Sequence, residues 1–214
     1  MRKLLYHLRR PLPDLLAFTA DKLRSYLWRS QLKEVGLRFH VGRGTKIQGS
    51  KYISIGENFI AGQMLWIEAV SDYRQFNYIP SIEIGNNVCC SQSVHITATE
   101  RITIKDGVLF GSHVHVTDHG HGTYNGNEQD SPDTPPSYRR ISVGRPVTIE
   151  KNVWIGDGVV VLPGVTIGEG SIIGSNSVVS RNIPANVIAV GIPAIPIKLY
   201  DPTSSRWIPI AKSI

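Results

Sequence analysis

The sequence predicts an all-β fold, a three-sided parallel β-helix of about five to six turns, on two observations. The first is an unbroken run of six-residue blocks from Ile149 to Pro184: IEKNVW, IGDGVV, VLPGVT, IGEGSI, IGSNSV and VSRNIP. Position one is always aliphatic (Ile149, Ile155, Val161, Ile167, Ile173, Val179), and position four is always Asn or Gly (Asn152, Gly158, Gly164, Gly170, Asn176, Asn182). Position five can point inward: Val153, Val159, Val165, Ser171, Ser177, Ile183. A period of six is neither that of a helix nor that of a simple alternating strand. It fits a short strand followed by a tight corner, with Gly or Asn where the backbone takes positive φ. Three such sides close one turn of a coil. The second observation is the same phase upstream, at Val41 and Ile47, then Ile55, Ala61 and Ile67, then Ile84, Cys90 and Ile96, then Ile104, Phe110 and Val116. Most of these have an apolar partner two places earlier, as alternation along short strands requires.

Two loops interrupt the phase, one roughly from Glu68 to Ser81 and one from Thr117 to about Pro146. The coil therefore occupies 37–184, followed by a C-terminal extension at 185–214. With 214 residues, 41% of them hydrophobic, the chain is sized for one domain with a continuous core. The two cysteines, Cys89 and Cys90, are neighbours. Cys90 falls on an inward position, so it reads as a small buried hydrophobe, and a reducing cytoplasmic setting follows.

Residues 1–36 differ in character. They hold eight Lys/Arg against three Asp/Glu, which is five of the chain's six net positive charges. Leu4, Leu5 and Leu8 form one helical stripe. A second helix is expected after Pro11 and Pro13, with Leu15, Leu16, Leu23, Tyr26 and Leu27 as its apolar positions. No apolar run reaches the roughly 18 residues of a spanning helix, and none has the form of a signal-peptide core. Two readings are open: a helical cap over the end of the coil, or a basic amphipathic segment on anionic lipid at the inner face of the membrane. Nucleic-acid binding is disfavoured, because the excess charge is local and no stacking-aromatic pattern accompanies it.

Chemistry is expected where the coil is interrupted, since a long polar excursion adds little stability and is usually functional. Five of the seven histidines gather there: His95, His113, His115, His119 and His121. His95 and His115 hold equivalent places on successive turns. They should face outward one strand spacing apart, near 4.8 Å. His119 and His121 follow at the corner where the long loop leaves.

Several stretches resemble one family: Thr117-Asp118-His119, Val153-Trp154-Ile155-Gly156, Pro163 to Gly168, Gly174 to Pro184, and Gly191-Ile192-Pro193-Ala194. They are similar to those of the hexapeptide-repeat acyltransferases, in the branch of galactoside and maltose O-acetyltransferases and of acetyltransferases from surface-polysaccharide gene clusters. The resemblance spans most of 80–200. It implies a left-handed coil, a homotrimer, and acetyl-CoA lying between neighbouring subunits as cosubstrate, with no metal. It also implies His119 as the general base toward a sugar, nucleotide-sugar or lipid-linked glycan hydroxyl. An imidazole can take that proton near neutral pH.

Either Asp118 or Glu128 would orient the ring, and His121 is a candidate second contact to the sugar. Ser91 stands where the galactoside and maltose branch has an Asn near the acceptor, so that branch's acceptor specificity does not carry over. Tyr73, Phe76 and Tyr78 of the first loop, with Tyr124 and Tyr138 of the second, are candidates for stacking on sugar faces or for packing between subunits. For acetyl-CoA the matched positions are Trp154, Asp157, Ser175, Ser180, Arg181 and Lys198, with Arg181 and Lys198 suited to phosphates. Two rival chemistries remain open. N-acylation of an amino sugar uses the same fold. A zinc hydratase of the gamma-carbonic-anhydrase kind would need His113, His115 and His119 together as three imidazole ligands.

Overall fold

The computed structural model describes residues 12–142 and 145–210. Strands of two to four residues wind into a column with three faces, each a parallel sheet. The first face stacks Glu34–Val35, Ile53–Ile55, Ser81–Ile84, Arg101–Ile104, Val147–Ile149 and Thr166–Ile167. The second begins with His40–Val41, Ile60–Ala61, Cys89–Cys90, Leu109–Phe110, Trp154–Ile155 and Ile172–Ile173. The third stacks Lys46–Gln48, Trp66–Ala69, His95–Ala98, His115–Thr117, Val160–Val161 and Val178–Val179. Six turns result, one strand from each face to a turn. The strand at Glu34–Val35 starts the column earlier than the sequence pattern showed.

Register explains why a period of six is stable. Ile67, Ile96, Val116, Val161 and Val179 pair in sequence up the third face, all pointing inward and all buried. The fifth-position residues Val153, Val159, Val165, Ser171, Ser177 and Ile183 are buried as well. Fully burying one such aliphatic contributes about 1.5–3 kcal/mol, and each turn offers the next a matching layer. Ser171 and Ser177 are tolerated because their hydroxyls donate to the carbonyls of Pro184 (2.7 Å) and Gly174 (2.6 Å).

Positive φ falls at the corners where the blocks place Asn or Gly, for example Asn152 (57°) and Asn176 (58°). Asn182 is the exception. It is absent from the residues with positive φ, and its side-chain oxygen instead accepts from Thr166 N–H at 2.8 Å. Met64, Ser93 and His113 hold the left-handed conformation at the second corner, between the second and third faces, without being Asn or Gly (60°, 57°, 58°).

At the start of the column lies one helix, α1, Leu12–Arg29, with Pro13 in its first turn where a missing N–H costs nothing. It rests on the strand His40–Val41, whose Val41 N–H donates to Ser25 Oγ at 2.9 Å. Four of its apolar residues do not cover the coil: Leu16, Leu23, Tyr26 and Leu27 all face solvent. Leu32 and Phe39 already close that end, with Phe39 stacked on Phe59 at 5.7 Å, so the helix is seated by Ser25 and Trp28. Leu4, Leu5, Leu8 and the Leu15 side chain lie outside the described residues. At the other end Val187–Val190 extends the second face in parallel. Ile195–Asp201 and Arg206–Pro209 then continue that sheet antiparallel.

Candidate active site

The site forms at the corner between the third and first faces. There the chain carries two surplus residues, Thr99 and Glu100, between the strands His95–Ala98 and Arg101–Ile104. This widened corner turns three backbone N–H groups toward Asp118, one turn above. Asp118 Oδ1 accepts from Thr99 N–H (2.9 Å) and Thr99 Oγ1 (3.3 Å), and Oδ2 accepts from the N–H groups of Glu100 (2.9 Å) and Arg101 (2.8 Å). Asp118 is fully buried. Burial alone would raise its pKa, but the hydrogen bonds from His119, Thr99 and Glu100 outweigh it and hold the carboxyl below its ordinary range.

An ionised carboxylate only accepts. Its 2.8 Å contact with His119 Nδ1 therefore fixes the proton on Nδ1 and leaves the Nε2 lone pair free. The His119 side chain is 11% exposed. It lines a cavity of about 630 Å³ together with Gly120, Tyr124, Ser142, Arg145 and the coil residues Leu162 and Pro163. Of the two candidate orienting groups, Asp118 touches the ring, whereas Glu128 is exposed on the loop.

The loop that carries His119 is zipped at its root. Gly120 and Ser142 exchange backbone and hydroxyl bonds of 2.9–3.1 Å, His121 bridges Ile141, and Gly122 N–H donates to Arg140 O at 2.8 Å. Farther out, buried Arg139 donates to the carbonyls of Thr134 (2.8 Å) and Pro132 (3.3 Å) and to Tyr124 Oη (2.7 Å). The first loop is a small hairpin, Asp72–Tyr73 with Phe76–Asn77, which clasps the second. Tyr73 Oη donates to Ser137 O (2.8 Å), Arg74 donates to the same carbonyl, and its guanidinium lies over the Tyr138 ring at 4.0 Å. Tyr78 Oη meets both the N–H and the carbonyl of Ile141 (3.0 and 3.3 Å). Three of the five loop aromatics, Tyr73, Tyr78 and Tyr138, thus hold loop to loop, and Tyr124 braces the second loop from within. His121 is exposed, with Tyr73 edge-on at 5.3 Å.

Outward on the third face runs a ladder of rings. Trp66 stacks on His95 at 4.1 Å, and His95 lies 4.8 Å from His115, the spacing expected from the sequence. Burial lowers the pKa of both imidazoles, helped by the neighbouring ring charges, and brings His95 to about 4. Glu68 Oε2 is 3.9 Å from His95 Nε2, and burial raises its pKa against the opposing pull of His119. Sequence reasoning missed Glu68, Trp66 and the Thr99–Glu100 cradle. The twenty-residue interval from Ile84 to Ile104, two longer than a regular turn, was the available signal.

The other singled-out residues divide by edge. Ser180 and Arg181 lie on the same corner as His119, farther up the column, and both are exposed. Trp154, half-exposed, stands on the second face in register with Leu109, which pairs in turn with Cys89. Ser91, Asp157 and Ser175 occupy the corner between the second and third faces, and Lys198 lies on the C-terminal hairpin. Within one chain none of these joins the His119 cavity. Asp157 also has a structural task, since its carboxylate accepts from Ser112 N–H. His113 is on that second corner too, so His113, His115 and His119 do not converge. Among the described residues no group of three or more His, Cys, Asp or Glu is placed to hold a metal.

The bacterial transferase hexapeptide pattern of six repeats matches residues 146–181. Over 162 residues the chain is 36% identical to the Escherichia coli K12 protein named "Putative lipopolysaccharide biosynthesis O-acetyl transferase WbbJ", covering 75% of this chain and 79% of that one. The chain belongs to the hexapeptide-repeat acyltransferases. Its coil is accordingly the left-handed parallel β-helix of that family. Solved structures agree on the fold. A variant of the N-acyltransferase AntD from Bacillus cereus superposes with a TM-score of 0.68 at 23% identity, covering 85% of this chain and 91% of that one. A galactoside acetyltransferase gives 0.56 at 24%, covering 99% and 86%.

Proposed function

We propose that this hexapeptide-repeat acyltransferase moves an acetyl group from acetyl-CoA to a hydroxyl of a sugar or glycan in surface polysaccharide assembly. The observation that carries the reading is the Asp118–His119 pair, with Nδ1 held by the carboxylate and His119 lining a cavity of about 630 Å³. In the ternary complex His119 Nε2 takes the hydroxyl proton as the new C–O bond forms. Asp118 stabilises the resulting imidazolium, and backbone N–H groups at a coil corner hold the tetrahedral oxyanion. When the C–S bond breaks, His119 returns the proton to the departing thiolate, and ester and free thiol leave.

Support comes from the E. coli relative's description, and from neighbours of the same fold seen with coenzyme A or, in a Vibrio cholerae acetyltransferase, with acetyl coenzyme A. Trp154, Asp157 and Ser175 lie on another edge of the column from His119. A single chain cannot apply both to one thioester, whereas a homotrimer would set one copy's second corner against the next copy's third. Arg181 and Lys198, exposed and among the described residues without a carboxylate partner, are the cations offered to the phosphates. Such a trimer would work in the cytoplasm at the inner face of the membrane.

The test is thiol release from acetyl-CoA over a panel of sugar, nucleotide-sugar and amino-sugar acceptors. His119→Ala should lower turnover by about 10²–10⁴-fold, and full turnover in that variant would overturn the base assignment. A second reading, N-acylation, is favoured by the fold shared with AntD, whose variant was seen with dTDP-4-amino-4,6-dideoxyglucose and coenzyme A. Product formed only with amino-sugar acceptors would select it.

A further inference from the structure

Helix α1 is seated in an unusual way. Its inner side is Ser25, Trp28 and the Asp21–Arg24 pair, while Leu16, Leu23 and Leu27 lie on the opposite side, 61%, 61% and 54% exposed. Their spacing, seven and then four residues, makes one continuous stripe on a helix. Three leucines on one solvent-facing stripe is more than an isolated surface residue and marks a contact surface. Tyr26, 72% exposed, flanks the stripe.

Charge says what that surface meets. Between α1 and the first turns of the coil lies a recess of about 520 Å³, lined by Lys22, Ser25, Tyr26, Arg29, Arg38, Phe39, His40 and Ile60, with no carboxylate in the lining. Among the described residues, Lys22, Arg29 and Arg38 have no acidic partner. An apolar stripe with long cationic side chains between it and the coil, whose stems can lie along apolar surface while their heads reach outward, matches an anionic bilayer surface.

We propose that this face of α1 is the protein's docking surface for anionic phospholipid, with the leucine stripe among the acyl-chain ends and Lys22, Arg29 and Arg38 on the phosphates. This deepens the membrane-side location proposed above. α1 rests on the first turn and Thr117 belongs to the fourth, three strand spacings or about 14 Å away. The column then presents His119 to glycans standing just off the membrane.

The experiment is sedimentation of the full-length protein with phosphatidylglycerol/phosphatidylcholine vesicles and with phosphatidylcholine alone. Wild type should co-sediment with the anionic vesicles only, and less so at high salt. Leu23→Glu/Leu27→Glu should abolish binding. Lys22→Glu/Arg29→Glu/Arg38→Glu should weaken it about a hundredfold. Both variants change exposed or half-buried positions away from the site, so thiol release with a soluble acceptor should stay at the wild-type level. That readout tests acyl transfer separately, and loss of either result leaves the other standing. Wild type that stays in solution with anionic vesicles overturns the proposal. So does undiminished vesicle binding by the leucine variant, above all if that variant's oligomer falls apart, which would make the stripe a contact between copies.

Discussion

His119 is one of three imidazoles crowded on the same patch, with His95 and His115, yet only its Nδ1 rests on a carboxylate. Burial, then the charge of neighbouring rings, lowers the pKa of the other two and favours their neutral form: His115 and His119 act on His95, and His119 acts on His115. Asp118→Asn should reduce turnover about 10²-fold or more, because an amide no longer dictates the ring's tautomer or steadies its cation. Circular dichroism should show the coil intact in that variant. His95 gives a pH signature. Its folded pKa is about 4 against an ordinary 6.5, so between those values the unfolded chain binds more protons. Stability is therefore full above pH 6.5 and falls as pH drops toward 4. His95→Phe should flatten that slope in melting temperature measured across pH 4–7, and an unchanged slope would refute the argument. The histidines were legible in the sequence, since the phase of the repeat placed His95 over His115. The choice of Asp118 over Glu128 was not, because the deciding N–H groups belong to residues a full turn earlier.

Among elements, the two loops act as one. The hairpin at Asp72–Asn77 braces the long loop, and Tyr78 ties it at Ile141, which is bridged to His121. Tyr78→Phe removes both bonds and leaves the Ile141 N–H without its partner, a cost of about 1–3 kcal/mol. Because that loss is local, turnover and resistance of the loop to limited proteolysis should fall before global melting does. Sequence reading located both loops but not their clasp. Strands of two residues have no periodicity to detect, and the tie joins positions 63 residues apart. The helix was foreseen as an element, with the partner of its leucine stripe left open between the coil and a lipid surface. Its leucines have the spacing of a buried stripe, and nothing in a periodic pattern tells which partner the stripe meets.

For the whole molecule, the six-residue period was enough to specify the coil. Each inward side chain depends on the same position one turn away, so the core repeats with the sequence. Ile155→Ala, in the middle of that stack and fully buried, should cost about 2–5 kcal/mol, read as a lowered denaturation midpoint. A stack of this kind has no intrinsic length. Each rung ends in the same unpaired backbone edge that the next rung would use, so another chain's strand could attach there as readily as its own. The antiparallel strands Ile195–Asp201 and Arg206–Pro209 break that succession by reversing direction on the second face. Above the third, Val178 is occupied from both sides, its N–H bonded to the Gly191 carbonyl and its own carbonyl to the Ala194 N–H. A protein stopped after residue 186 would keep Asp118 and His119 but expose a template for end-to-end growth, and light scattering should find it assembling into rods.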